Sequence, residues 1–180
     1  IGAALAERLH DLGARVALVG LEPDLLQQVA RRCGAAPWHT CDVTDRDQVE
    51  TAVEAMVGAL GGLDVVVANA GIAAQLPLVD GDPSIFERTL AVNVLGTYYT
   101  VRAAGPHVSH PAGYVLAVSS LAAAVHLPLL GAYNASKAAT EALANTLRAE
   151  LRPTGARVGV AYFAELDTDM TTRGFGTEAA

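Results

Sequence analysis

The chain has 180 residues, the length of one domain. Hydrophobic residues make up 52% of it and charged residues 17%, which excludes a disordered chain and leaves enough apolar material for a core. The net charge is -7, and Lys137 is the one lysine beside scattered arginines, which excludes a nucleic-acid surface built from clustered cations.

Residues 2–12 carry Leu5, Leu9 and Leu12 on one helical face, and Gly13 is placed to end that helix. The apolar run Arg15–Val19 reads as a buried strand stopping at Gly20, and Asp24–Arg32 as a helix with Leu25, Leu26 and Val29 facing inward. A weak strand is expected near Trp38–Val43. Asp45 then caps a helix in which Val49, Ala52, Val53, Met56, Val57 and Leu60 recur at helical spacing, closed by Gly61-Gly62. Leu63–Ala68 is the next strand, followed by Asn69-Ala70-Gly71 and a loop over 72–82. A long helix over roughly 84–104, a strand Tyr114–Val118, an uncharged loop, a helix over roughly 133–151 and a last strand Ala156–Tyr162 complete the series. The tail to Ala180 has no period.

Strands alternating with helices, and strands apolar on both faces, predict a Rossmann-like, doubly wound parallel sheet in three α/β/α layers. Residues 1–180 are expected to form a single domain. Such sheets bind ligands at the carboxyl ends of their strands. Residues 103–136 hold no Asp, Glu, Lys or Arg, but Gly105-Pro106, Pro111, Gly113, Pro128 and Gly131 interrupt the apolar helix of about 20 residues that a membrane span requires. Glu7 and Arg8 fall within an amphipathic pattern and not an apolar run, so no leader is expected in the first residues. Cys33 and Cys41 are too few for a disulfide framework and read as reduced thiols, so a cytoplasmic location is expected. His39, His107 and His110 lack partners at ligand spacing, and no metal site is expected. Met56 and Met170 are the only methionines; the chain is expected to be a piece of a longer protein.

Tyr133 and Lys137 stand four apart on an expected helix and share a face. A phenol titrates near about 10, and bringing it to neutrality takes roughly 4 kcal/mol. A nearby ammonium favours the phenolate and can provide much of that in a shielded site. Ser120, thirteen residues before Tyr133, ends a strand where its hydroxyl could meet a substrate carbonyl. Asn69 and Gly71 follow another strand and could form only a turn. Asn93 lies among apolar residues in mid-helix, where an amide needs a partner. Asp42 ends a strand, where it could accept from an adenine amine or start the next turn.

Asp42-Val43, Asn69-Ala70-Gly71, Asn93, Ser120 and Tyr133-Asn134-Ala135-Ser136-Lys137 occur in the order and approximate spacing of the short-chain dehydrogenase/reductase superfamily, and the chain resembles it over nearly its whole length. The resemblance implies an NAD(P)-dependent oxidoreductase that interconverts an alcohol and a ketone or aldehyde. It makes Tyr133 the general acid/base, Lys137 the residue that lowers its pKa and holds the nicotinamide ribose, and Ser120 the group that orients the carbonyl or alcohol. Asn93 would anchor a water chain from Lys137. Asp42 and Val43 would flank the adenine, while Asn69, Ala70 and Gly71 would line the cofactor cleft. The rival reading is a catalytically silent dinucleotide-binding or scaffold protein, which the joint presence of Ser120, Tyr133 and Lys137 disfavours.

Ile1 and Gly2 match the end of the family's glycine-rich turn, where Gly2 would face the pyrophosphate. The strand that precedes this turn in the family would lie between Arg15–Val19 and Leu63–Ala68, so the 180-residue piece is expected to fold poorly alone and to bind no dinucleotide usefully. Phe163-Ala164 replaces the family's Pro-Gly, and Thr168 holds the position of a Thr that contacts the nicotinamide amide. Glu22 could bind the ribose and repel a 2′-phosphate, or simply favour a helix start, and gives a weak lean to NAD over NADP. The loop over 121–131 is apolar through Leu121, Val125, Leu127, Leu129 and Leu130; these side chains point to a hydrophobic substrate, or equally to a covered core. His126 in the same loop reads first as solvated. Surplus Ala and Leu on the two long helices, Ala138, Ala139, Ala142 and Leu143 among them, imply by family analogy a homodimer or homotetramer.

Overall fold

The computed structural model describes residues 1–166 and Met170. Helix α1 (Gly2–Asp11) turns out at Gly13, whose φ of 90° is a left-handed angle that side chains resist. Strand β1 (Leu18–Gly20) leads to α2 (Pro23–Arg32), with Pro23 in the first turn, where no backbone donor is needed. After β2 (Trp38–Thr40), the Asp45 carboxylate accepts from the backbone N–H groups of Asp47 and Gln48 and starts α3 (Arg46–Leu60), which ends at Gly61 with φ 74°. Strand β3 (Val65–Ala68) follows.

The long helix of the sequence reading is three pieces. Helix α4 (Pro83–Leu90) passes into a π-helical turn, Ala91–Leu95, and then into α5 (Gly96–Val108). The helix also runs through Gly105-Pro106, which the sequence reading took as its end. Pro106 lies in the last turn, where its missing N–H costs one bond, and the Ser109 hydroxyl satisfies the Gly105 carbonyl at 2.7 Å. Strand β4 (Tyr114–Ser120), a short 3-10 turn at Leu121–Ala123, α6 (Gly131–Leu151) and β5 (Arg157–Phe163) complete the described elements.

All strand pairs are parallel, and they form two ladders, β1-β2 and β3-β4-β5. The sequence reading placed a further strand between β1 and β3; among the described residues each of these has a single neighbour, and Val19 and Val65 on them are exposed. Helix α1 packs on α2 beside the first ladder, where Ala6, Val29, Ala30 and Cys33 form a core with Leu18 and Trp38. Helices α5 and α6 cover the second ladder, enclosing Val108, Val115, Ala117, Ala144, Leu151 and Val158. Helix α3 packs on α5 through Val49 and Ala52. Among the described residues no helix is long and apolar enough to cross a membrane.

Two glycines test this packing in opposite senses. At Gly113, just before β4, a Cβ would run into the Val108 carbonyl, whereas Gly58 in α3 has nothing within 4 Å of a Cβ. Gly113→Ala should lower the midpoint of urea unfolding sharply, because backbone must shift to make room. Gly58→Ala should raise stability by about 0.5–1 kcal/mol through helix propensity. Equal midpoints for the two variants would contradict the backbone path.

Candidate active site

Strands β3 and β4 run in register, with Ala68 opposite Ala117, so Asn69 and Ser120 leave the sheet at the same, carboxyl end. Helix α6 begins beside them and presents Tyr133 and Lys137 one turn apart. The Lys137 Nζ lies 5.6 Å from the centre of the Tyr133 ring and donates to the Val118 carbonyl at 2.9 Å. Lys137 is only 3% exposed, and burial brings its ammonium down to a pKa of about 8. A lone cation this deep is costly, and the carbonyl bond offsets part of that cost.

The Ser120 hydroxyl stands beside the Tyr133 phenol and favours its phenolate. It donates to the Phe163 carbonyl at 3.2 Å, while its oxygen accepts from the Ala122 N–H at 3.1 Å. The direction of the Tyr133 shift corrects the sequence reading. Burial pushes the phenol above its usual value, with only the Ser120 hydroxyl pulling it down. Desolvation of the phenolate therefore outweighs the attraction that the Tyr-Lys spacing suggested. The protein on its own keeps Tyr133 protonated at neutral pH.

Asn93 stands in the π-helical turn, 1% exposed. Its Oδ1 accepts from the Ile72 N–H at 2.8 Å, and its Nδ2 donates to the Ile72 carbonyl at 2.9 Å and to the Ser136 hydroxyl at 2.9 Å. The Asn93 main-chain carbonyl accepts from Thr97 and Thr140 hydroxyls at 2.8 and 3.3 Å. The amide thus ties the loop after Gly71 to α6. Asn93 Oδ1 and Lys137 Nζ converge on Gly71, each 3.3 Å from where a Cβ would stand. Gly2 meets the Asn69 side chain, whose Nδ2 lies 2.8 Å from the place of a Cβ, so the start of α1 abuts the end of β3.

Gly2, Asn69, Gly71, Asn93, Ser120, Tyr133 and Lys137 are thereby joined in one run of contacts. Other candidates lie apart from it. The Asp42 carboxylate accepts from the Thr44 N–H and hydroxyl at 2.9 and 2.8 Å, which makes a turn after β2. Val43 packs against Gly96 beneath α5, Ala70 and His126 are exposed, and Glu22 is exposed at the start of α2 with no capping bond. Thr168 lies outside the described residues. Burial raises the thiols of Cys33 and Cys41, which makes them poor nucleophiles. An open cavity of about 350 Å³, lined by His10, Arg15, Cys33, Gly34 and Leu60, sits at the amino ends of the strands, away from these hydroxyls.

Sequence reasoning missed Ser136 and Ile72. Ser136 is fully buried and donates to the Tyr133 carbonyl at 2.8 Å while accepting from Asn93. Its spacing of three from Tyr133 on one helix was an available signal; Ile72 acts through its backbone and leaves no signal in a side chain.

The sequence pattern described as short chain dehydrogenase matches residues 1–178. An uncharacterised oxidoreductase of Staphylococcus saprophyticus is 30% identical over 177 residues, which is 95% of this chain and 76% of that protein. The solved alcohol dehydrogenase of Thermococcus sibiricus, in complex with 5-hydroxy-NADP, superposes with a TM-score of 0.88 at 26% identity, over 98% of this chain and 76% of that one. A short chain dehydrogenase/reductase of Burkholderia phymatum, in complex with NAD, gives a TM-score of 0.82 at 26% identity, over 91% and 60%. With the pattern matched along almost all of its length, the chain belongs to the short chain dehydrogenase family of oxidoreductases.

Proposed function

We propose that the protein interconverts an alcohol and a ketone or aldehyde with a nicotinamide dinucleotide, and that Tyr133 carries the proton. The observation that supports this most is the Ser120 hydroxyl beside the Tyr133 phenol with the Lys137 ammonium 5.6 Å from the centre of that ring. Two such hydroxyls can donate to one carbonyl oxygen, the geometry that stabilises charge developing there.

The chain's own features fit a dinucleotide. Helix α1 starts without a side-chain cap, which leaves its first N–H groups free for a pyrophosphate, and at Gly2 a Cβ would fill the space against Asn69. Gly71 keeps a second approach open beside Lys137. The nicotinamide would supply or accept the hydride. Lys137 would hold the ribose, and Asn69, Ala70 and Gly71 would line the cleft. In reduction, the protonated Tyr133 donates its proton to the carbonyl oxygen while Ser120 donates a hydrogen bond to the same atom. In oxidation, the phenol must first lose its proton; the Ser120 hydroxyl favours that loss, and so would the Lys137 ammonium, still mostly charged at pH 7 because its pKa is about 8.

Glu22, exposed just after β1, favours NAD, since its carboxylate would repel a 2′-phosphate. Steady-state rates should be higher with NAD than with NADP, and Glu22→Arg should narrow the gap. A strong NADP preference in the unaltered protein would overturn this lean.

Tyr133→Phe should lower turnover about 10²–10⁴-fold, the range for loss of a general acid/base. Ser120→Ala should lower it by about 10²–10³, as for removal of one oxyanion donor. Most of the rate surviving in Tyr133→Phe would contradict the assigned role.

Lys137 also links stability to pH. Its folded pKa of about 8 lies below the ordinary 10.5, so between these values the unfolded chain binds more protons and stability rises with pH. From pH 8 to pH 10 the protein should gain about 2 kcal/mol relative to Lys137→Met in urea unfolding. Parallel curves for the two proteins would show that the ammonium is not buried.

A further inference from the structure

We infer that the substrate is a neutral, aliphatic alcohol or ketone, seated between the two loops that leave the carboxyl ends of β3 and β4. This rests on the reading of Ser120 and Tyr133 as the groups that meet the reacting oxygen. The loops over 72–82 and 121–130 are stitched together: the Leu76 N–H donates to the Leu129 carbonyl at 2.8 Å, and Leu76 pairs with Leu130 in an isolated parallel bridge. Leu76 and Leu130 are buried and form the floor of this seam. Six further aliphatic side chains on the same two loops stay in solvent: Leu78 at 73%, Val79 at 77%, and Leu121, Val125, Leu127 and Leu129 at about half.

The backbone holds these side chains outward at a cost. Leu129 adopts a φ of 65°, a left-handed angle that leucine resists, and the Leu127 carbonyl is held by the Asn134 amide at 3.4 Å. The core does not need them, because its share of each loop is already buried in Leu76 and Leu130. The segment 121–130 runs from Ser120 at the end of β4 to the first turn of α6, which carries Tyr133, so an aliphatic chain whose oxygen reaches those hydroxyls would lie along this loop.

Charge narrows the class further. Neither loop carries a lysine or arginine; Asp80 and Asp82 are the only acids, and His126 is the only other titratable group. The one deep cation among the described residues, Lys137, is bound to the Val118 carbonyl beneath Tyr133. A carboxylate or phosphate on the far end of a substrate would find no counter-charge on these two loops and would meet two like charges.

The test measures kcat/KM for a series of 2-ketones from four to ten carbons, with 9-oxodecanoate set against 2-decanone. The same series is run on Leu127→Asp/Leu129→Asp. Specificity should rise about threefold to fourfold per added methylene. The charged-end ketone should fall at least about tenfold below its neutral counterpart. The double variant should lose the chain-length gain and keep its rate on the four-carbon ketone. A flat or falling series, or preference for the carboxylate, would overturn the inference. So would a double variant that shifts from oligomer to monomer in light scattering with its chain-length dependence intact, since a second copy would then be what covers the leucines. If no ketone turns over, the alcohol–ketone reading is what fails, and calorimetry with 1-decanol decides the rest. Binding that the double variant loses supports an aliphatic seat, and no binding to either protein overturns it.

Discussion

The Lys137 ammonium sits almost without water, bonded to the Val118 carbonyl, with the Tyr133 ring above it. Placing a charge there works against stability, and the rest of the site is arranged around tolerating it. Strand β4 must end in register beside β3 so that the Val118 carbonyl is available, and α6 must start close enough for its first turns to reach over the strand. A Cβ at Gly71 would stand 3.3 Å from the Nζ, so a side chain there would press on the ammonium. The ammonium and the phenol are pushed toward neutrality by the same burial, which brings the lysine closer to losing its proton near neutral pH and makes the phenol hold its proton more firmly.

Around this pair the backbone is fixed by an amide and a hydroxyl. Asn93 holds both backbone groups of Ile72 and reaches Ser136, which in turn holds the Tyr133 carbonyl. The π-helical turn at Ala91–Leu95 is what aims the Asn93 side chain, an instance of such a turn occurring where function concentrates. Three elements, the loop after β3, the break between α4 and α5, and the first turns of α6, are locked at one point. A buried, satisfied network of this kind rigidifies its surroundings, which is what proton transfer over a short distance requires.

Much of the fold was legible because burial writes a period into a sequence. The apolar spacing from Val49 to Leu60, the cap at Asp45 and the glycines at 13 and 61 set α1 and α3 nearly to the residue. The strands were legible as two-sided apolar runs, though β1 and β2 proved shorter than their runs. The π-helical turn was not legible, since one extra residue per turn leaves the apolar pattern almost unchanged over five residues. Nor was the passage of α5 through Pro106, which the helix tolerates because the proline falls in its last turn. In the site, Tyr133, Lys137, Ser120 and Asn93 could be named from spacing, but the sign of the Tyr133 shift could not. It turns on how far burial outweighs one nearby cation, and burial is a property of the packed chain.

The central claim is that Lys137 and Ser120 together make a buried phenol the proton carrier. The most direct measurement is the pH dependence of kcat/KM for alcohol oxidation in the unaltered protein and in Lys137→Met. The rate should rise with pH through a single group, and removing the ammonium should move that rise to higher pH. Superimposable profiles would contradict the claim and leave Lys137 a structural residue.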